Sequence, residues 1–345
     1  MTTSSDGSTP PPGQPSLRTL PKAELHLHIE GTLEPELAFQ LAERNGVVLP
    51  FADVDDLRAR YDFSDLQSFL DLYYSCMTVL RSAQDFTDLA VAYFARAAAD
   101  GVQHVEMFFD PQVHAANGVD AATVIAGLRA GFAVAEERWG ISGGLIVCIV
   151  RDQPVASADA LLDEIAPLAH DLIGIGLDSA EVGYPPLLFE DVFARAAGLG
   201  LRRVAHAGEE APADYVWQAL RLLEVERVDH GIRSIDDEDL LAHLATHRVP
   251  LTVCPLSNLR LRAVADLSMH PLRALVDAGV VVTVNSDDPS YFGGYIAANY
   301  EAVAEMGFDH RELAALAENS ITASFADAAR KAELVAAVRE WVAAL

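Results

Sequence analysis

The sequence predicts one (β/α)8 barrel of the TIM type, with extra helices after the first strand and at the carboxyl end. Three observations predict it. From residue 85 onward, short β-branched runs alternate with long Ala/Leu-rich helical segments, and strict alternation of this kind implies a parallel sheet. Counting the run that begins at Glu24, there are eight strands, each followed by helical sequence, and eight such units close into a barrel. A doubly wound open sheet is the rival, but no Gly-x-Gly-x-x-Gly turn follows the first strand.

Residues 1–16 are rich in Ser, Thr, Pro and Gly and cannot bury apolar area, so a disordered tail is expected before a single domain over 17–345. His26-Leu27-His28 lies in an alternating polar/apolar run, which as a strand points both imidazoles the same way. A helix should follow from about Thr32–Pro35, capped by Thr32 or Glu34 and ended by Asn45-Gly46. Residues 57–80 form a second helical region, where Tyr73 and Tyr74 read as packing residues. Further strands are expected at 103–108, 145–150, 172–177, 201–205, 227–229, 250–253 and 280–285. The intervening helices fall at 85–100, 121–139, 158–170, 189–198, 214–223, 236–246 and 271–279.

With 345 residues and 51% hydrophobic content the chain can bury a sizeable site. A formal charge of -27 argues against nucleic acid or an anionic membrane as partner, since both need a cationic face. A small neutral or cationic ligand fits better. The three cysteines have no Cys-x-x-Cys spacing and read as reduced thiols of a cytoplasmic protein. Neither a signal pattern nor an apolar run near membrane-spanning length is visible.

Barrel chemistry gathers where strands end. Those positions hold His26 and His28, Asp110, Arg151, Asp178 with Glu181, His206 with Glu209 and Glu210, Asp229 with His230, Asn258, and Asp287 with Asp288. A lone His-x-His, a lone strand-end His or an acidic helix start would each be unremarkable, and their recurrence at one barrel end is the informative feature. Adjacent carboxylates such as Asp287-Asp288, if buried, call for a cation or a retained proton. Three imidazoles and one carboxylate with an open position suit Zn²⁺ and tolerate other divalent ions, which points to metal-dependent hydrolysis.

The ordered set Leu20-Pro21-Lys22-Ala23-Glu24-Leu25-His26-Leu27-His28, His206-Ala207-Gly208-Glu209, Asp229-His230-Gly231, Pro255-Leu256-Ser257-Asn258 and Ser286-Asp287-Asp288-Pro289 resembles the adenosine/adenine deaminases of the amidohydrolase superfamily. The resemblance implies that His26, His28, His206 and Asp287 bind one Zn²⁺ per chain. It makes Glu209 the acid that protonates purine N1, His230 the group that orients the nucleophile and helps move protons, and Asp288 the partner of N7. Asp287 then serves both metal and catalysis.

Within the family, Ile29-Glu30-Gly31 replaces the Leu-Asp-Gly typical of nucleoside enzymes and is similar to the adenine deaminase branch. Asn285–Tyr295 and Asp178-Ser179-Ala180-Glu181-Val182-Gly183 lean the same way. The expected substrate is adenine, converted to hypoxanthine and ammonia, with Asp288, Glu181, Glu30 and Gly183 as substrate-binding residues and Glu181 reading the N3/N9 edge. A structural carboxylate beside an Arg is the competing reading of Glu181. Adenosine, N6-substituted adenines and aminodeoxyfutalosine are the alternative substrates. A barrel that binds without catalysis is disfavoured because Glu209, His230 and Asp287 are all present. A two-metal hydrolase built on a strand-four Lys is disfavoured because no Lys occurs between Lys22 and Lys331. A homo-oligomer is compatible with the sequence.

Overall fold

The computed structural model describes residues 15–345, so the expected tail lies outside the described residues except for Pro15 and Ser16. Ser16 is structured, its side chain capping the turn Leu17–Thr19 by accepting from Arg18 N. Eight parallel strands run in sequential order: β1 (Lys22–Glu24), β2 (Val102–Phe109), β3 (Ser142–Val150), β4 (Gly174–Asp178), β5 (Arg202–Ala207), β6 (Arg227–His230), β7 (Pro250–Val253) and β8 (Val281–Val284). Helices lie between them, and the predicted TIM-type barrel is the observed one.

The first strand is shorter than expected. Its ladder stops at Glu24 because Leu25 turns to side chains: its N–H donates to Asn285 Oδ1 at 2.9 Å and its carbonyl accepts from Arg227 at 3.2 Å. Isolated bridges then resume: Leu27–Asp287 stitches the seam to the segment after β8, and His28–Phe108 continues the pairing with β2. Asp287 N donates to His26 O and His28 N to Asp287 O, each at 3.1 Å. The metal-type residues that follow β1 and β8 are therefore held by the bonds that close the barrel.

The helical region expected at 57–80 is two helices, Val54–Ala59 and Leu66–Met77, each started by an aspartate cap, Asp53 and Asp65. The helix expected to reach residue 170 ends as α-helix at Ile165 and continues as a 3₁₀ stretch, Ala166–Asp171. Pro167 lacks the N–H that an α-helix would use there. The first long helix, Pro35–Asn45, ends at Gly46 with φ 64°, the left-handed cap its Asn-Gly predicts. Two carboxyl-terminal helices, His310–Ala323 and Ala328–Ala343, complete the chain, the first packing against β1 and β8.

Inside the barrel, Arg227 of β6 and Glu106 of β2 pair at 2.6 Å with neither exposed. Burial opposes charge on Glu106, and the guanidinium outweighs it, holding the carboxyl below its usual range. Breaking one partner of such a pair leaves a buried charge and costs about 3–5 kcal/mol. Among the described residues no helix is long and apolar enough to cross a membrane.

Candidate active site

Four ligand-type atoms from His26, His28, His206 and Asp287 lie within 4.8 Å of one another, all on buried residues. Hydrogen bonds behind them decide which nitrogens face inward. The Thr252 hydroxyl donates to Asp229 Oδ1 at 2.7 Å and so accepts from His26 Nδ1 at 3.0 Å. His26 Nε2 is left bare, with no hydrogen-bond partner and 3.2 Å from Asp287 Oδ1. His206 Nδ1 donates to Leu177 O at 3.0 Å, which bares its Nε2 as well, 3.2 Å from His28 Nε2.

Burial and the other imidazoles keep His206 well below its ordinary pKa, and burial takes His28 to about 4. Burial also opposes charge on His26, but the Asp287 carboxylate beside it prevails and raises its pKa. Inward-facing lone pairs this close repel unless a cation lies between them. Bare imidazole nitrogens, a carboxylate and orienting partners behind them are what a divalent ion requires, so the residues fit zinc.

His230 and Asp287 have positive φ, 59° and 65°, as does Ser179 at 68°. Non-glycine residues in this region are strained, and such strain collects at functional sites. Gly31 has a steric role: a Cβ there would lie 2.0 Å from Asp288 Oδ1 and 2.6 Å from Asp288 Cα. Only glycine lets the two loops approach.

Glu209 adjoins the four-atom cluster, its Oε2 3.5 Å from His230 Nε2. Burial, then the Asp287 and Glu210 charges, push its carboxyl well above the usual range. Asp288 is likewise raised, by burial and then by Asp287, and its Oδ1 is buried without a partner. Burial lowers His230 to about 3. A bound cation would attract negative charge and draw both carboxyls back toward ionisation.

A chain of hydrogen bonds orients these groups. Leu272 N donates to His270 Nδ1 at 3.1 Å, leaving His270 Nε2 to donate to Asn258 Oδ1 at 3.2 Å. The Asn258 amide nitrogen then donates to Glu209 Oε1 and to His230 Nδ1, both at 3.2 Å. His230 therefore carries its proton on Nε2, facing Glu209 and Asp287. His270 was not among the sequence candidates; a lone His in a loop gives no signal by itself.

His28, His206, Glu209, His230, Asp287 and Asp288 all line one cavity, with His26 buried beneath. Glu30, Glu181 and Gly183, expected as substrate contacts, do not line it. Glu30 Oε1 accepts from Asp110 N at 3.1 Å and from His114 Nε2 at 2.8 Å, while its Oε2 is buried without a partner. Glu181 accepts from four backbone amides of the loop that carries Glu209: Gly208 at 2.5 Å, Glu209 at 3.1 Å, Glu210 at 2.9 Å and Ala211 at 3.0 Å. With both oxygens taken, it holds a loop and has no edge left for a base. Gly183 is exposed at φ 92° with open space around it.

The cavity wall also contains Asp110, Asp178 and, from the helix Leu66–Met77, Phe69, Leu70, Tyr73 and Tyr74. The tyrosines both pack and face the cavity, so the expectation of packing alone was incomplete. Alternation along that helix shows an apolar face, but no local signal says that the face covers a barrel mouth.

Fold and site together define a (β/α)8 hydrolase with a candidate metal centre beside a raised carboxyl acid and a neutral imidazole. The chain belongs to the adenosine deaminase family, whose model matches residues 21–341. It is 58% identical over 311 residues to the adenine deaminase of Streptomyces coelicolor, covering 90% of this chain and 92% of that one. The adenine deaminase of Sphingopyxis alaskensis is 56% identical, with 92% and 94% covered. Among solved structures, adenine deaminase from Arthrobacter aurescens superposes with a TM-score of 0.92 at 54% identity, covering 94% of this chain and 99% of that one. An amidohydrolase from Burkhoderia ambifaria, solved with bound Zn, gives 0.88 at 30% identity, with 95% and 92% covered.

Proposed function

We infer that this protein is a hydrolytic adenine deaminase that converts adenine and water to hypoxanthine and ammonia, using one zinc ion per chain. The observation that carries the chemistry is the convergence of His26, His28, His206 and Asp287 beside Glu209 and His230. The identity above 50% to adenine deaminases over nine-tenths of the chain carries the substrate. A zinc ion held by the four ligands supplies Lewis-acid activation of water.

The chain's own groups do the rest. Glu209, buried at the cavity wall and held by the Asn258 amide, gives its proton to N1 and makes C6 electron-poor. His230, with its proton on Nε2, donates toward the attacking oxygen and holds it against C6. Asp288, whose Oδ1 is buried without a partner at the cavity wall, meets N7 as a donor. The ionised Glu209 then relays one proton of the attacking water to the departing amine and takes up the other, which leaves C6 as a carbonyl and restores the acid. The cavity aromatics exclude bulk water.

The test is turnover of adenine, adenosine, N6-alkyl adenines and aminodeoxyfutalosine by zinc-loaded protein, followed by absorbance near 260 nm, with metal content measured and Glu209→Ala as control. Hypoxanthine from adenine, lost by about 100-fold or more in the variant, is the expected result. Preference for adenosine by orders of magnitude would refute the substrate, and full activity of metal-free protein would refute the role of zinc.

A further inference from the structure

One part of the cavity wall is unused by this chemistry. Asp110, just past β2, is 3% exposed, lines the cavity, and its Oδ1 is buried with no hydrogen-bond partner. Its backbone is pinned, since Asp110 N donates to Glu30 Oε1 and His114 holds the same oxygen. Beside it, both oxygens of Asp178 also lack partners. A buried acceptor left unmatched costs about 1–3 kcal/mol, which a ligand N–H would remove.

Barrel order indicates which ligand edge arrives there. The strands run sequentially round the mouth, so two arcs connect β5 to β8. With N1 at Glu209 after β5 and N7 at Asp288 after β8, the arc through β6 and β7 holds C6, beside His230. The remaining perimeter of a purine, from N7 round to N1, is C8, N9, C4, N3 and C2, and C4, a ring-fusion carbon, has no outward bond. The remaining arc is β1, β2, β3 and β4, so a base lying across the mouth turns its N9 side toward the end of β2.

Adenine has an N–H donor at N9, and a nucleoside has a sugar there. We propose that Asp110 accepts the N9–H hydrogen bond of the base and thereby selects free adenine over N9-substituted purines. This assignment rests on the N1 and N7 contacts inferred above. It gives the recognition of the N9 edge, expected of Glu181, to a residue whose oxygen is free to make it. A carboxyl accepts this bond in either protonation state, so selection does not depend on its titration.

The probe is 9-methyladenine, which replaces the N9 hydrogen with a methyl group. Wild-type protein is expected to prefer adenine in kcat/KM by about 100-fold or more, because a site built to pair a donor discriminates strongly against its loss. In Asp110→Ala the preference should fall at least about tenfold, mainly through KM for adenine, the scale of one lost hydrogen bond to a carboxylate. Asp110→Asn, which keeps an accepting carbonyl, should retain more of it. Asp110→Val keeps the volume and serves if the alanine variant does not fold.

Comparable turnover of the two bases by wild type, or an unchanged preference in the Ala and Val variants, overturns the proposal. So does a metal content that drops from two ions per chain to one on Asp110→Ala, because His28, Asp110 and Asp178 could then be holding a second cation. Failure of wild type to make hypoxanthine from adenine would refute the deaminase reading instead, so the two failures are distinguishable.

Discussion

Glu181→Gln separates the two roles a buried carboxyl can have at this barrel mouth. In the wild type, Oε1 takes one amide, from Gly208, and Oε2 takes three, from Glu209, Glu210 and Ala211. A glutamine has one oxygen, and placing it at the three-amide position turns its NH₂ against the Gly208 N–H. One charge-assisted bond is then lost and one buried donor stranded, about 2 kcal/mol, while the other bonds weaken to neutral strength. The sum is about 3 kcal/mol, which for a chain of this size lowers Tm by roughly 4 °C. Because the freed loop carries Glu209, kcat with adenine should fall about 100-fold, as expected when a catalytic group shifts by about 1 Å, while KM changes little. Thermal unfolding and steady-state kinetics read both effects. A variant with wild-type Tm and kcat but altered KM or base preference would refute the loop-holding role and restore Glu181 as a substrate contact.

Three further predictions follow from the same geometry. His270→Ala removes the bond that orients the Asn258 amide, so kcat should fall about tenfold or more with adenine KM little altered, and Asn258→Ala should fall further; unchanged kcat in both would sink the orienting chain. Burial raises Glu24 to about 7 from a usual 4.5, although Ser286 and Tyr93 donate to it, so the native state keeps a proton the unfolded chain has lost. Its stabilising contribution is full below about pH 4.5 and is lost as pH rises through 7, about 3 kcal/mol in all, so Glu24→Gln should gain on wild type between pH 5 and 8 in thermal melts. Removing metal with a chelator should abolish deamination and lower Tm, both recovering with Zn²⁺, since His28 and His206 nitrogens 3.2 Å apart then have no cation between them.

Much of this molecule could be read locally. Alternation of β-branched runs with Ala/Leu helices is a periodic property, and seven of the eight strands fall within a few residues of their expected places. The shortened β1 departs because Asn285 and Arg227, distant in the chain, take the backbone groups of Leu25. The break between Ala59 and Leu66 depends on two aspartate caps, Asp53 and Asp65, that compete with a continuous apolar face.

The sequence by itself determined the barrel, the ligand-type residues at its strand ends and the order in which they meet, because a strand fixes side-chain direction and a parallel barrel gathers strand ends on one side. Tertiary structure decided which carboxyls face the cavity. Glu30, Glu181 and Asp110 are all acids beside a strand end, and no local pattern distinguishes them. Glu181 turned both oxygens to four loop amides, and Glu30 gave one oxygen to His114 and a backbone N–H, its other oxygen being buried without a partner away from the cavity wall. Asp110, also with an unpartnered oxygen, lines the cavity. Hydrogen-bond satisfaction between residues far apart in sequence, which only the folded chain can resolve, made that division.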